Sequence, residues 1–138
     1  MLSPTSALLA TLPKAELHVH LDGSLRPATL AELAGEREVQ LPVREPEALG
    51  EYMVVSDARN LEEYLARFEL TLAVMQDAEA LERIARELVE DHARESVRWL
   101  EVRFCPALNT RAGLSGDEVL DAVLRGLRAA EAAHDIRT

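Results

Sequence analysis

The sequence predicts an α/β fold with a parallel sheet, and within that class the N-terminal part of a (β/α)8 TIM-type barrel, incomplete in this chain. Three observations carry the prediction. The apolar pattern changes period in the order strand, helices, strand, helix, with the stub of a third strand at Ile136, which is the βαβα order of parallel crossovers. Both strand segments turn an aliphatic face one way and a polar face the other. A doubly wound sheet wants both faces apolar, whereas a closed barrel with a polar mouth tolerates that pattern. A whole barrel takes ~250 residues. The 138 residues here read as one N-terminal portion of a single barrel domain: the first two βα units and the start of strand three.

The elements follow in chain order. Residues 17–21, Leu-His-Val-His-Leu, alternate apolar with polar as a half-buried strand does. A short helix over residues 27–35 has proline in its first turn and glycine at its end. Residues 36–56 hold Pro42, Pro46 and Gly50 and read as mostly irregular. A helix over 61–75 follows from Leu61, Leu65, Phe68 and Leu72 at helical spacing, with Asn60 and Glu63 placed as a capping box. A second helix, over 78–96, carries the stripe Leu81, Ile84, Leu88 and Val89 behind an Asp77 cap. Residues 98–105 form the second strand, with Leu100, Val102 and Phe104 on one face and Glu101, Arg103 and Cys105 on the other; Pro106 ends it. A third helix over 116–133 buries Val119, Val123 and Leu127 and repeats the capping box with Ser115 and Glu118.

Composition narrows the function classes. The net charge of −10 argues against nucleic acid as a partner, because phosphate binding wants basic patches. No apolar run reaches the ~20 residues of a membrane span, and no basic segment precedes Leu8–Leu9 as a secretory signal requires. The single cysteine, Cys105, excludes an internal disulfide framework and fits a reducing, cytoplasmic setting.

The chemistry sits in residues 13–24, Pro-Lys-Ala-Glu-Leu-His-Val-His-Leu-Asp-Gly-Ser. Residues two apart on a strand share a face, so His18, His20 and Asp22 point one way. Two imidazoles that close can hold one metal ion; zinc takes ring nitrogens at ~2.0–2.1 Å. A His-x-His pair also arises with no metal role, and both readings stand on the residues alone. The other two histidines, His92 and His134, sit at helix ends and read as helix residues, not ligands. Cys105 reads as a small buried thiol near the pocket, and Glu101 with Arg103 as buried ion pairs within the barrel.

The stretch 14–24 closely resembles the first-strand motif of the adenosine deaminase family, in the metal-dependent amidohydrolase superfamily. Residues 61–68, Leu-Glu-Glu-Tyr-Leu-Ala-Arg-Phe, and 100–106, Leu-Glu-Val-Arg-Phe-Cys-Pro, resemble the same family in the same order. The resemblance implies a (β/α)8 barrel with one zinc ion (Zn2+) that hydrolyses adenosine or deoxyadenosine to inosine or deoxyinosine, releasing ammonia. It implies that His18 and His20 are the first two zinc ligands and that His20 also lies near the substrate. It places Asp22 on the ribose 5′-hydroxyl, and Leu61, Tyr64, Leu65 and Phe68 on the helix lining the pocket entrance. Helix core is the ordinary alternative for those four. The family's remaining ligands and catalytic groups come from later strands, so no catalytic residue is assigned within 1–138.

Two alternatives stand beside a purine nucleoside deaminase. One is a deaminase of adenine or of a modified nucleoside. The other is a non-catalytic, truncated barrel. In either case an incomplete barrel exposes strand edges and apolar helix faces, so the chain is expected to self-associate or to need its C-terminal part, with zinc weak or absent when only two ligands are supplied.

Overall fold

The computed structural model describes residues 4–54 and 59–138. Two strands pair in parallel: β1, Lys14–His20, and β2, Val97–Arg103. Pairing starts at Lys14–Val97 and closes at His20–Arg103, the same spacing on both strands. Between those ends lie two irregularities that cancel. One extra residue stands in β2 opposite Lys14–Ala15, and one in β1 between Glu16 and Val19. Beside β2 an isolated bridge pairs Trp99 with Arg137 in parallel, and the Leu100 N–H donates to the Arg137 carbonyl at 2.8 Å.

Helices fill the connection from β1 to β2. They are α2 (Pro27–Glu36), α3 (Pro46–Met53), α4 (Leu61–Ala66), α5 (Phe68–Val74) and α6 (Ala78–Arg94), and α7 (Gly116–Ala133) follows β2. A further helix, α1 (Pro4–Thr11), precedes β1. Lys14 caps its C-terminal end, donating from Nζ to the Leu9, Ala10 and Leu12 carbonyls. No helix among the described residues is long and apolar enough to cross a membrane.

Three expectations are corrected. β1 is longer than 17–21 and stops before Leu21, because Leu21–Gly23 winds into a 3-10 turn with Leu21 wholly buried. The segment 36–56 holds α3, with Pro46 starting a helix and Leu49 buried; its last two residues lie outside the described ones. A single buried apolar residue is too weak a stripe to reveal a helix. The helix over 61–75 divides at Arg67, which ends α4 and starts α5. There the guanidinium stacks over the Tyr52 ring, 4.7 Å from its centroid, and donates to the Tyr52 carbonyl.

The core lies between the sheet and its outer helices. α6 buries Leu81, Ile84, Ala85, Leu88 and Val89; α7 buries Val119, Ala122, Val123 and Ala130; β2 contributes Val97 and Leu100. Both helices carry the caps expected of them: Asp77 accepts from the Ala80 N–H, and Ser115 with Glu118 forms a complete capping box. Burial would raise the Asp77 carboxyl. The Arg37 guanidinium at 2.6 Å and the helix N–H groups more than offset it, holding Asp77 below the usual carboxylate value.

The helix α2 is tied to α6 by charge. Arg26 grips Asp91 with two bonds of 2.8 Å and reaches Glu90 at 3.0 Å. Buried Glu87 accepts from Thr29 at 2.6 Å and from Arg83 at 2.9 Å. A buried carboxylate without such donors would cost several kcal/mol.

The α6–α7 contact yields a direct test. A Cβ added at Gly126 would overlap the Glu82 carbonyl oxygen and lie 2.9 Å from Ala85 Cβ, whereas one added at exposed Gly35 meets nothing within 4 Å. Gly126→Ala is expected to destabilise by about 1–3 kcal/mol. Gly35→Ala should stabilise by roughly 0.5–1 kcal/mol through helix propensity. Urea unfolding at one fixed protein concentration reads both; equal effects would contradict this packing.

Candidate functional site

The extra residue in β1 shapes the site. It lies at Leu17–His18, and the freed His18 N–H is taken by Glu16 Oε1 at 2.9 Å. Strict alternation would have buried Leu17, yet it is 58% exposed. His18 and His20 stay together: their rings are 5.1 Å apart, and their Nε2 atoms 3.2 Å apart. Two nitrogens held at 2.0–2.1 Å from one ion at a tetrahedral angle stand about 3.3 Å apart. The separation is close to that spacing, and as the rings stand it is also a hydrogen bond between them. Among the described residues no group of three or more His, Cys, Asp or Glu side chains is placed to hold a metal; His18 and His20 are the pair that could contribute to one.

Past the strand, the 3-10 turn brings Asp22 back over the same face. Ser24 Oγ donates to the His20 carbonyl at 2.6 Å and closes the turn. Gly23 seats it on Phe68: an added Cβ would stand 3.2 Å from the Phe68 ring. Asp22 Oδ1 lies 3.8 Å from His20 Nδ1 and is buried with no hydrogen-bond partner among the described residues. Arg26, four residues on, anchors the turn to α6.

These groups open onto a cavity of about 530 Å³, within the range of small-molecule sites. His20, Asp22, Tyr64, Leu65 and Phe68 line it, with Arg103, Phe104 and Leu108 opposite. The Tyr64 and Phe68 rings, 5.4 Å apart, form one wall. A second cavity of about 330 Å³ lies behind that wall and shares Asp22, Tyr64 and Phe68. Of the four α4–α5 residues singled out in sequence, Leu61 alone lines neither cavity; it is 68% exposed. None of α4 is buried, so helix core does not account for Leu61, Tyr64 and Leu65.

Two readings near the site are corrected. Cys105 lies at the cavity but is exposed, not buried, like Glu101 and Arg103 on the same open face; it precedes the 3-10 turn Pro106–Asn109. Glu101 and Arg103 are not a buried pair: their side chains are half exposed and 3.5 Å apart. Arg103 instead donates from Nε to His18 Nδ1 at 2.9 Å. Nothing in the sequence signalled that contact, since it depends on which residue of β2 lies across from the β1 pair. His92 bonds the Leu88 carbonyl within α6, and His134 caps α7, as their positions implied.

Comparison with known proteins places this geometry. A family model described as adenosine deaminase matches residues 13–138. An adenosine deaminase of Vibrio vulnificus is 54% identical over 126 residues, which are 91% of this chain and 38% of that protein. The crystal structure of Arabidopsis N6-mAMP deaminase superposes with a TM-score of 0.71 at 38% identity, covering 90% of this chain and 36% of that one. An amidohydrolase from Burkholderia ambifaria, solved with bound Zn, gives 0.77 at 28% identity over 99% of this chain and 36% of its own. The chain thus spans little more than a third of the length of the proteins it matches, and its α/β fold corresponds to a partial (β/α)8 barrel.

The lone Asp22 oxygen has a consequence for stability. A buried carboxylate oxygen without a donor opposes folding. Asp22→Ala should leave stability unchanged or raise it by up to about 1 kcal/mol, whereas Asp77→Ala, which removes a cap, should cost about 1 kcal/mol. Urea midpoints compare the two; a clear loss from Asp22→Ala would mean that the oxygen has a partner.

Proposed function

The chain belongs to the adenosine deaminase family, and on that premise we propose that it forms the first part of a zinc site that deaminates adenosine or deoxyadenosine to inosine or deoxyinosine. The observation that carries the reading is the 3.2 Å approach of the two Nε2 atoms beside the unpartnered Asp22 oxygen. His18 and His20 hold the metal through Nε2. Asp22 accepts a hydrogen bond from the sugar 5′-hydroxyl, which supplies the donor its buried oxygen lacks. Tyr64, Leu65 and Phe68 shield the purine from water, and Leu61 stands at the outer end of the same helix. The chemistry such a metal supplies when bound is a hydroxide nucleophile near neutral pH. The remaining ligands and proton-transfer groups fall in the part of the relatives that lies beyond the matched length.

A second reading comes from the likeness to N6-mAMP deaminase: a 5′-phosphorylated substrate. A phosphate set beside the Asp22 carboxylate would be repelled, which favours the nucleoside.

Two measurements on the whole protein test the proposal. His18→Ala and His20→Ala are each expected to lose zinc and deamination together; full zinc occupancy in either variant would refute their assignment. Asp22→Ala should weaken adenosine roughly ten- to a hundredfold, the worth of a hydrogen bond to a charged group, and leave 5′-deoxyadenosine nearly unaffected. Equal losses for both would remove Asp22 from the sugar, and a preference for AMP over adenosine would favour the second reading.

A further inference from the structure

We propose that Arg103 is a positioning residue that opposes metal loading by fixing the proton of His18 on the very nitrogen the metal needs. The inference rests on the reading that His18 and His20 bind the metal through Nε2.

The argument follows the direction of each hydrogen bond. A guanidinium only donates. Arg103 Nε gives its N–H to His18 Nδ1 at 2.9 Å, so Nδ1 presents its lone pair and the neutral ring carries its proton on Nε2. That proton points at His20 Nε2, 3.2 Å away. His20 Nε2 then accepts, which puts the His20 proton on Nδ1, the atom 3.8 Å from Asp22 Oδ1. The row Arg103, His18, His20, Asp22 runs one way, from cation to carboxylate.

The two histidines are therefore set differently. His20 already offers a bare Nε2, with its Nδ1–H toward an acid, the arrangement in which a ligating imidazole is usually held. His18 is inverted. To bind through Nε2 it must lose that proton to water and take one from water at Nδ1, with no net change. A protonated Nδ1 no longer accepts from Arg103, so the guanidinium must leave. Glu101 is the acceptor waiting for it, its Oε2 already 3.5 Å from Arg103 Nη2. In the loaded site Arg103 pairs with Glu101 and releases His18.

Nitrogen-detected NMR of the metal-free whole protein reads the tautomers, the His18 and His20 signals being assigned by single His→Gln changes. Expected are an Nε2–H ring at His18 and an Nδ1–H ring at His20. In Arg103→Met, His18 should shift towards Nδ1–H. Zinc alone is then titrated into both proteins. Arg103→Met should take zinc about tenfold more tightly, the lower end of the range for a charge-assisted bond because the guanidinium is half exposed. The gain should persist in 1 M salt, where charges are screened beyond ~3 Å. An Nδ1–H ring at His18 in the parent overturns the inference. So does a gain that vanishes in 1 M salt, which assigns it to charge repulsion, or zinc bound at both histidines with an affinity that Arg103→Met does not change. Zinc that leaves the His18 and His20 signals unmoved in both proteins overturns the metal reading beneath it, and this inference falls with it.

Discussion

The parallel pairing of β1 with β2 is the constraint on which the rest of the molecule depends. Its two irregularities cancel, so the strands enter and leave in step, while between them β1 gains a residue at Leu17–His18. A bulge is a means of re-aiming side chains without losing register beyond it. Here it leaves both imidazoles on the open face and sets Arg103 beside His18. It also allows β1 to end on His20, so that Leu21 plunges into the core and Asp22 returns over the histidines. Were the strands in simple register throughout, the alternating pattern alone would decide which side chains meet, and Leu17 would be buried.

The outer helices hold that pairing in place. α6 is the centre of the outer layer: one side packs on α7 at Gly126, and another is bound to α2 through Arg26 with Asp91, Thr29 with Glu87 and Glu32 with Arg83. Arg26 leads into α2 directly after the Asp22 turn, so the same ion pairs that fasten α2 also limit where the turn can go. Hydrogen bonds to Asp91 and Glu90 keep the Arg26 guanidinium charged well above its ordinary range, despite partial burial. The link from surface charge to site geometry therefore runs through only a few residues of backbone.

Much of this was legible in the sequence, and the reasons for the exceptions are physical. α6 and α7 were read correctly because each buries a broad stripe and carries its own cap, so local and tertiary preferences agree. α3 was invisible because only Leu49 is buried. The break at Arg67 was invisible because its cause, the Tyr52 ring and carbonyl, lies fifteen residues away in sequence. The His18 and His20 grouping was legible because a two-residue period puts them on one face whatever the partner strand does; Asp22 joins them through the 3-10 turn and not through the alternation that pointed to it. The Arg103 contact was not, because it is set by register, and register follows from a bulge that no residue pattern announced. Cys105 does share the cavity with Arg103, as alternation implied; its burial was misjudged, because that face of β2 is open here, with Glu101, Arg103 and Cys105 all exposed.

The distribution of satisfied and unsatisfied groups separates scaffold from site. Among the described residues the other buried polar side chains are served: Thr29 and Glu87 bond each other, Thr71 bonds the Phe68 carbonyl and Asn109 bonds the Met75 carbonyl. The buried side-chain oxygen left without a partner is on Asp22. Leu65, an apolar side chain half exposed on α4, lines the same cavity as Asp22. A fold gains nothing from either feature. A lone buried carboxylate oxygen weakens the native state, and an uncovered apolar helix forgoes burial worth about 25 cal/mol per Å². Both would become favourable with a ligand that is part polar and part apolar in the cavity beside them. Stability in this chain is thus concentrated on the outer helices, and the face left open around His18 and His20 is where binding has the most to supply.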